Sequence, residues 1–564
     1  MLRNLPGLVS TSAGRVLFLL AGGVLMGLAP VYAWPLAWVG MVPLWRVAIE
    51  AIAKHYRLGQ ALRLAGVWGV GYHGTALGWI TGLHPMMWMG VPWLGSIAIA
   101  LFAWAFITLW GAAIGMSWMG LIITLSRDRR LSKLGQILVG TALWCTVEWV
   151  WSKGPLYWTS LSYTQSPGNL WILQLGQIAG PITITASLVA VNGLLAQGWG
   201  ETTRNITKNK MLLNTLRPTW TRAFMLCVSL HCLGLGLYSH SFIDTPERSL
   251  RVGLIQGNIP TPEKLSEVGV KTSRKAYLQG YELLAQKGVD LVLTPEGAIP
   301  QVWEPFVQDR NPFQRAVIQR GVPLVLGTFA RKEMDNREIG NSRTPLTQSL
   351  LTITPDGTIA GRYNKVKLVP LGEYIPFENV LGGVVGRLSP FGESMAPGRF
   401  DQRLETPLGP VAAGICYESA FTGLFRQQVR NGGEVIFTAS NNDPYPPRQM
   451  MQHHAQDVMR AVETNRWAVR VTNTGISGVV DPKGHTVWRS VPDEYVTHVA
   501  TVYRRRSRTL YVRFGDWLTP LLLALSLVTL WTHHAVDLSR CENSSCENSS
   551  CENSSCENSL TEGP

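Results

Sequence analysis

The sequence predicts a multi-pass α-helical membrane domain of about eight spans joined to an α/β sandwich domain. Two observations lead to this fold class. Charged residues make up only 15% and hydrophobic residues 46% of the 564 residues, although a typical soluble domain carries about 25% charged residues. The apolar sequence is also confined to residues 1–245 and 514–535, whereas residues 250–505 have the mixed composition of a soluble domain.

Eight apolar stretches are long enough to be spans, because a helix that crosses a bilayer needs about 20 mostly apolar residues. Seven of them form an N-terminal membrane domain, residues 1–245, and the eighth is a C-terminal helix within residues 514–535. The predicted spans are residues 16–33, 35–52, 63–82, 93–124, 135–152, 170–198, 222–240 and 514–533.

Short basic loops predict the orientation of the chain. Lys and Arg are concentrated after the second, fourth and sixth spans, and the loops between these carry few of them. Because basic loops stay in the cytoplasm, residues 250–505 are expected on the outer side. The same distribution accounts for the net charge of +13 without a nucleic-acid partner. A basic cluster on the predicted outer side, before the last span, departs from this rule: Arg504, Arg505, Arg506 and Arg508. We expect that the large translocated domain overrides the effect of this cluster on orientation, or that the cluster contacts anionic headgroups.

The eight cysteines fall into three groups. Four lie in the tail, residues 540–564, where Cys-Glu-Asn-Ser-Ser repeats. This low-complexity composition predicts a disordered segment rather than a metal site. Three more lie in apolar spans, which leaves Cys416 as the only cysteine of residues 250–505, so no disulfide framework is expected there.

Short β-rich runs alternate with helical stretches in residues 250–505. This alternation favours an α/β sandwich. The predicted strands are residues 251–255, 290–293, 323–326, 411–415, 434–437 and 467–471, and the predicted helices are residues 265–287, 311–320 and 447–464.

Three polar side chains lie at or just beyond such strands: Glu296, Lys365 and Cys416. A thiol becomes a good nucleophile as the thiolate, which a nearby cation such as Lys365 favours. The same cation can stabilise an oxyanion, and Glu296 can accept and return protons. Together they allow a thioester intermediate and ping-pong kinetics, a chemistry that requires neither a metal nor a cofactor.

Each of these three residues also has an ordinary structural interpretation. Glu296 alone fits a solvated loop, Lys365 an exposed strand end beside Lys367, and Cys416 a buried core thiol. Their order and local sequence together are more specific than any one of them, and this combination favours a catalytic site.

Residues 250–505 resemble the nitrilase, or carbon–nitrogen hydrolase, superfamily through three motifs: Pro295-Glu296, Tyr363-x-Lys365 and Cys416-Tyr417-Glu418. Within this superfamily the chain resembles the apolipoprotein N-acyltransferase family, whose members combine seven spans, an outward nitrilase domain and a final span. The resemblance covers about residues 15–535.

The resemblance implies an αββα sandwich and a role for each site residue. Glu296 would be the general base, Lys365 the cation and Cys416 the acylated nucleophile. The supporting residues would be the carboxylates Glu373 and Glu418 and the site-lining Tyr417.

The implied reaction takes an acyl chain from a membrane phospholipid of the phosphatidylethanolamine type. The chain then passes to the α-amine of a diacylglyceryl-cysteine at the N-terminus of a lipoprotein. The implied location is a bacterial inner membrane, with the catalytic domain on the periplasmic side and no cofactor.

Two alternatives remain open. The first is a membrane-anchored amidase of the same superfamily that uses water as the acceptor, although a single anchor would suffice for it. The second is a non-catalytic membrane scaffold, which the presence of Glu296, Lys365 and Cys416 argues against.

Two further features are ambiguous. Glu148 lies near the outer end of the fifth predicted span, where an ionisable residue is a functional candidate, yet it can equally reach headgroups or pair with Lys153. His453 and His454 are expected to be structural or surface residues, because the Glu-Lys-Cys chemistry needs no histidine.

Overall fold

The computed structural model describes residues 11–127, 131–207, 218–240, 244–303, 311–332, 345–375 and 394–532. The predicted disordered tail, residues 540–564, lies outside these ranges. Helices occupy the region of every predicted span. They are Ser12–Leu28, Ala37–Gly40, Val42–Ala53, Leu58–Ala76, Trp93–Ser126, Lys133–Trp151, Leu170–Leu173, Gly176–Ala179, Pro181–Thr207, Pro218–Ser239 and Leu518–Thr532.

Four helices in the described ranges are long and apolar enough to cross a bilayer. They are Trp34–Ala53, Trp93–Ser126, Pro181–Thr203 and Thr219–Ser239. Shorter apolar helices are Ser12–Leu28, Leu170–Ala179 and Leu518–Thr532. Several apolar helices are therefore present, and the count of about eight spans stays a prediction.

The sixth predicted span, residues 170–198, is not one continuous helix. It is divided near Gly180, which adopts φ +81° and is followed by Pro181. Proline has no N–H to continue the preceding helix. A Cβ at Gly180 would lie 2.5 Å from the ring of Tyr511, so the break also lets the backbone approach the segment that leads into the last apolar helix.

Residues 249–503 form two facing sheets. The strands are β1 Ser249–Gln256, β2 Leu291–Leu293, β3 Ile299–Val302, β4 Leu324–Arg331, β5 Leu346–Ile353, β6 Ile359–Asn364, β7 Ala412–Ile415, β8 Ile436–Ser440, β9 Ala468–Thr472, β10 Gly478–Val480, β11 Thr486–Arg489 and β12 Val496–Tyr503. One sheet has the order β12-β1-β2-β4-β5-β6, with β3 paired to β4, and the other has the order β11-β10-β9-β8-β7.

The two sheets pack face to face through an apolar core that includes Leu293 and Val325 from one sheet and Ala413 and Phe437 from the other. Short helices cover both outer faces: Thr261–Lys264, Glu267–Gln286 and Pro312–Arg320 on the first, Thr422–Arg430 and Pro447–Thr464 on the second. Strands buried on both faces carry continuous apolar runs, and the six predicted strands correspond to β1, β2, β4, β7, β8 and β9. The three predicted helices correspond to Glu267–Gln286, Pro312–Arg320 and Pro447–Thr464, whereas β3, β5, β10, β11, β12 and the helices Thr261–Lys264 and Thr422–Arg430 were not predicted. The αββα layering agrees with the resemblance.

The outer helices of the second sheet share one apolar core with the membrane helices. Polar contacts fasten the same junction. Tyr163 OH donates to the carbonyl of Ala420 (2.8 Å), and Ser166 Oγ donates to the carbonyl of Ala455 (2.6 Å). The second sheet is thus held directly on the membrane domain.

The chain enters and leaves the sandwich at neighbouring points. β1 and β12 pair antiparallel from Ser249↔Tyr503 onward, and Arg504 N–H donates to the carbonyl of Arg248 (2.9 Å). The arginine cluster binds nearby protein groups, for example through an ion pair between Arg505 and Asp244 at 2.8 Å. These contacts hold the first and last residues of the sandwich next to each other.

Candidate active site

The catalytic cysteine candidate lies at a sharp turn. β7 ends at Ile415, and Cys416 begins a 3-10 turn, Cys416–Ala420, with φ +50°. A non-glycine residue in this left-handed region is strained, and such strain is concentrated at functional sites. The turn presents the Cys416 side chain at the end of the strand, where its Sγ lies 3.6 Å from the carbonyl oxygen of Asn441.

The side chains of Glu296 and Cys416 both contact the backbone of Asn441, the residue that follows β8. Its backbone N–H donates to Glu296 Oε2 (3.0 Å), while its carbonyl accepts from the Cys416 thiol. The Asn441 side chain is itself fixed, because Nδ2 donates to Thr261 Oγ1 at 2.9 Å. The ends of β2, β7 and β8 therefore bring the carboxylate and the thiol to one edge of the sandwich.

Lys365 follows β6 and completes the set. Its Nζ lies 2.9 Å from Glu296 Oε1 and 2.5 Å from Glu373 Oε1, and its side chain is 1% exposed. Glu373 is oriented by the N–H of Val369 at 2.8 Å. An ammonium has three N–H donors, so among the described residues one donor of Lys365 remains for an oxyanion.

The charges determine the protonation of the site. Burial alone would lower the pKa of Lys365, but the carboxylates of Glu296 and Glu373 reverse this and raise it well above its usual value. Burial is the largest reason that the pKa of the Cys416 thiol rises to about 12; the negative charge of Glu296 adds to the rise, and Lys365 opposes it. Cys416 is therefore a thiol at neutral pH, and a nucleophilic attack by its sulfur would require removal of the proton.

The buried carboxylate of Glu418 stabilises the turn through hydrogen bonds. It is fully buried, and its two carboxylate oxygens accept from the N–H groups of Ile415 (2.7 Å), Val366 (2.5 Å) and Lys367 (3.0 Å) and from Tyr363 OH (2.9 Å). These hydrogen bonds join the turn Cys416–Ala420 to the segment that carries Lys365. Burial raises the pKa of Glu418 to about 7.

Tyr417 contacts aromatic side chains from both parts of the chain. It belongs to an aromatic cluster made of Trp79, Trp158, Tyr417, Phe421 and Tyr445. The ring of Tyr417 is parallel to that of Trp158 (centroids 6.3 Å apart) and perpendicular to that of Phe421 (4.9 Å). An apolar surface shared by both domains thus begins one residue after Cys416.

Lys264 is a site residue that the sequence analysis missed. Its Nζ donates to the carbonyl oxygen of Glu296 at 3.0 Å, and the side chain is only 5% exposed. Burial lowers the pKa of Lys264 to about 8, with Glu296 and Asp443 acting against this. The available signal was its position shortly after β1, whose end lies at the same edge as the site.

His453 has the structural role expected of it. Asn442 Nδ2 donates to its Nδ1 (2.8 Å), which leaves Nε2–H to donate to the carbonyl of Cys416 (2.8 Å). Burial, together with the charge of Arg470, lowers the pKa of His453 to about 3, so the ring is neutral. His454 is also buried and contacts Thr486.

Glu148 is buried inside the membrane domain rather than at its surface. It accepts from Trp144 Nε1 (3.0 Å), Ser160 Oγ (2.5 Å) and Thr185 Oγ1 (3.0 Å). The carboxylate therefore orders the segment that leads to Trp158, two residues before Ser160. Glu148 thus holds the segment that carries Trp158 of the aromatic cluster, without a hydrogen bond to the cluster residues named above.

Comparison with known proteins agrees with this arrangement. Residues 251–509 match the family model for carbon-nitrogen hydrolases, and residues 21–194 match the model for the apolipoprotein N-acyltransferase N-terminal domain. Within the described ranges, no three His, Cys, Asp or Glu side chains are grouped as a metal site. The fold and the site define a nitrilase-type domain attached to apolar helices.

Relatives identify the family more closely. Apolipoprotein N-acyltransferase of a Nostoc species is 45% identical, covering 89% of this chain and 96% of the relative. Those of a Synechocystis species and of Thermosynechococcus vestitus are 42% and 43% identical over 91% and 89% of this chain, and 99% and 92% of the relatives. The chain belongs to the apolipoprotein N-acyltransferase family.

Proposed function

We propose that this protein transfers an acyl chain from a membrane phospholipid to the α-amine of the N-terminal diacylglyceryl-cysteine of lipoproteins. The observation that carries the proposal is the position of Cys416: its turn joins the buried Glu296–Lys365 pair to an aromatic cluster shared with the apolar helices. An acyl chain can approach such a site from the bilayer, while its reacting ester reaches the polar end. Family membership supports the same activity.

In the first half-reaction, Cys416 Sγ attacks the ester carbonyl carbon of the phospholipid. Glu296 accepts the thiol proton, and the remaining N–H of Lys365 stabilises the oxyanion. When the intermediate collapses, the C–O bond breaks and Glu296 returns the proton to the leaving alkoxide. The products are a lysophospholipid and an acyl-thioester on Cys416.

In the second half-reaction, the α-amine of the acceptor attacks the thioester carbonyl. A C–N bond forms and the C–S bond breaks. Glu296 takes the excess proton from the amine and returns it to the sulfur, which regenerates the thiol. Because the lysophospholipid leaves before the amine binds, the kinetics are ping-pong.

The proposal includes the placement of the chain in the membrane. Seven spans precede the catalytic domain and one follows it, and the domain faces the periplasmic side of a bacterial inner membrane. The distribution of Lys and Arg supports this orientation. Labelling with a membrane-impermeant maleimide of cysteines introduced on the outer surface of the sandwich, in intact spheroplasts, tests it; labelling only after lysis contradicts it.

The function is tested by the intact mass of the protein after incubation with phosphatidylethanolamine, beside Cys416→Ala. We expect a fatty-acyl mass on the unaltered chain, removable by hydroxylamine and absent from the variant. Adding a diacylglyceryl-cysteine peptide should then discharge the adduct onto the peptide amine. No adduct, together with ammonia release from small amides, would instead establish the water-dependent amidase.

A further inference from the structure

Two lysines lie together where the catalytic domain meets the end of the helix Lys133–Trp151. Lys367 Nζ is 3.4 Å from the backbone carbonyl oxygen of Lys153 and 4.8 Å from the centre of the Phe421 ring. Lys153 Nζ lies 5.2 Å from the Trp149 ring centre. Both ammonium groups are therefore held on aromatic faces at the domain junction.

The two charges repel each other. Burial lowers the pKa of Lys367, and the charge of Lys153 lowers it further, although the carboxylate of Glu418 acts in the opposite direction. Like charges at close range normally diverge or acquire a counterion. Among the described residues, neither lysine has a carboxylate within ion-pair distance. Glu418 accepts from backbone N–H groups and from Tyr363, and Asp516, whose oxygens accept from Thr519, attracts Lys153 only from beyond that distance.

The surroundings suit a lipid headgroup. Trp149 and Val150 are 45% and 50% exposed beside Lys153, and aromatic side chains favour the bilayer interface. Towards the protein, Phe421 packs against Tyr417, which follows the nucleophile. An anion between the two lysines would therefore have the bilayer on one side and the thiol on the other.

We propose that Lys153 and Lys367 bind the phosphodiester of the phospholipid acyl donor. This inference rests on the proposed function and adds a residue-level site for the donor headgroup. A short glycerol spacer separates the phosphate of such a lipid from its ester carbonyl. The Phe421 ring under the Lys367 ammonium packs against Tyr417, the neighbour of Cys416, so a phosphate held by the lysines would bring the ester of the same lipid towards the thiol. The ammonium groups act as point charges on the phosphate.

The test compares two acyl donors: phosphatidylethanolamine in mixed micelles and p-nitrophenyl palmitate, an activated ester without a phosphate. The readout is the ratio of kcat/KM for acylation of Cys416 by the first donor to that by the second. In Lys367→Gln and Lys153→Gln we expect this ratio to fall about tenfold to hundredfold, the loss of one charge-assisted contact. The fall should come mainly from KM for the phospholipid.

Two controls separate charge from fold. Lys367→Arg keeps the charge and should restore most of the ratio. Lys483→Gln removes another lysine that lies over an aromatic ring, that of Tyr238, but far along the chain from the proposed site; its ratio should match that of the unaltered chain. Equal thermal midpoints for all variants would exclude a folding defect as the cause.

The outcomes are distinct. A ratio unchanged in both glutamine variants overturns the headgroup site while leaving the acyltransferase intact. Inhibition by millimolar inorganic phosphate that disappears in the double variant would show a general anion site and overturn the lipid assignment. If no phospholipid acylates the unaltered chain, the proposed function fails and the headgroup site with it.

Discussion

Replacement of Glu296 by Gln should change two properties of Cys416 in opposite directions. The negative charge of Glu296 contributes to the raised pKa of the thiol, so its removal should lower that pKa and speed alkylation. The same change removes the group that takes the thiol proton, so acylation by phospholipid should slow by about 10²- to 10⁴-fold. A purely electrostatic role for Glu296 predicts that both rates rise.

The size of the alkylation effect follows from the protonation of the resting site. With a pKa of about 12, about one thiol in 100,000 is ionised at pH 7, against about one in 30 for an unperturbed cysteine. Because a thiolate of higher pKa is also the stronger nucleophile, the unaltered chain should react with iodoacetamide at Cys416 about 100-fold more slowly than free cysteine. Its rate should rise about tenfold per pH unit between pH 7 and 10.

The assay is intact-mass spectrometry of the detergent-solubilised protein, with Cys416→Ala to identify the modified residue. Alkylation and acylation time courses are recorded from the same preparations. The reasoning is refuted if Glu296→Gln is acylated at the unaltered rate, or if Cys416 of the unaltered chain is alkylated at pH 7 as fast as free cysteine.

Three other predictions concern the surroundings of the triad. Burial lowers the pKa of Lys264 in the folded chain to about 8, whereas an unfolded lysine keeps its proton up to about pH 10.5. Below about pH 8 both states are protonated and the folded chain carries the full cost of the buried charge. Between about pH 8 and 10.5 only the unfolded chain is protonated, so the free energy of unfolding rises with pH. The free energy of unfolding should then rise by about 3 kcal/mol over that interval relative to Lys264→Met, and equal pH profiles in chemical denaturation would contradict this. Glu373→Ala leaves the buried Lys365 with one carboxylate partner and should reduce the free energy of unfolding by about 3 kcal/mol, whereas a loss below about 1 kcal/mol would mean that water replaces the carboxylate. Gln452→Ala removes the acceptor of Trp79 and Trp158 and the donor to the carbonyl of Ala76, and should cost about 1–3 kcal/mol with slower acylation. An unchanged melting temperature would show that the hydrogen bonds of Gln452 do not stabilise the junction.

Six strands of the sandwich were predictable from the sequence because buried strands leave continuous apolar runs between polar turns. The short, partly exposed strands β3 and β11 have no such run and were not predicted. Glu296 and Cys416 were selected as candidates because each follows an apolar run within a short motif, whereas Lys365 follows the partly exposed β6 and was selected through its motif alone. The sequence analysis missed the break at Gly180, although the pair Gly180-Pro181 is itself a turn signal. The residues on both sides remain apolar, and the contact with Tyr511, more than three hundred positions away, is visible only in the folded chain.

Other parts of the site depend on contacts that leave no local pattern. Asn441 acts through its backbone N–H and carbonyl, which every residue possesses. Lys264 reaches a backbone oxygen of Glu296 only after folding closes the loop. Lys365 does favour the thiolate, as expected from the sequence, but burial and the charges of Glu296 and Glu373 outweigh it, so the pKa of Cys416 stays high. Net charge balance in a buried site depends on distances that composition does not contain.

The pairing of β1 with β12 has a consequence for how such a protein can arise. Because the first and last strands of the sandwich run side by side in opposite directions, the two ends of the domain occupy neighbouring positions. Domains with adjacent termini tolerate insertion into another chain. A sandwich of this kind can therefore be inserted into a chain of apolar helices at one point, without a redesign of its fold.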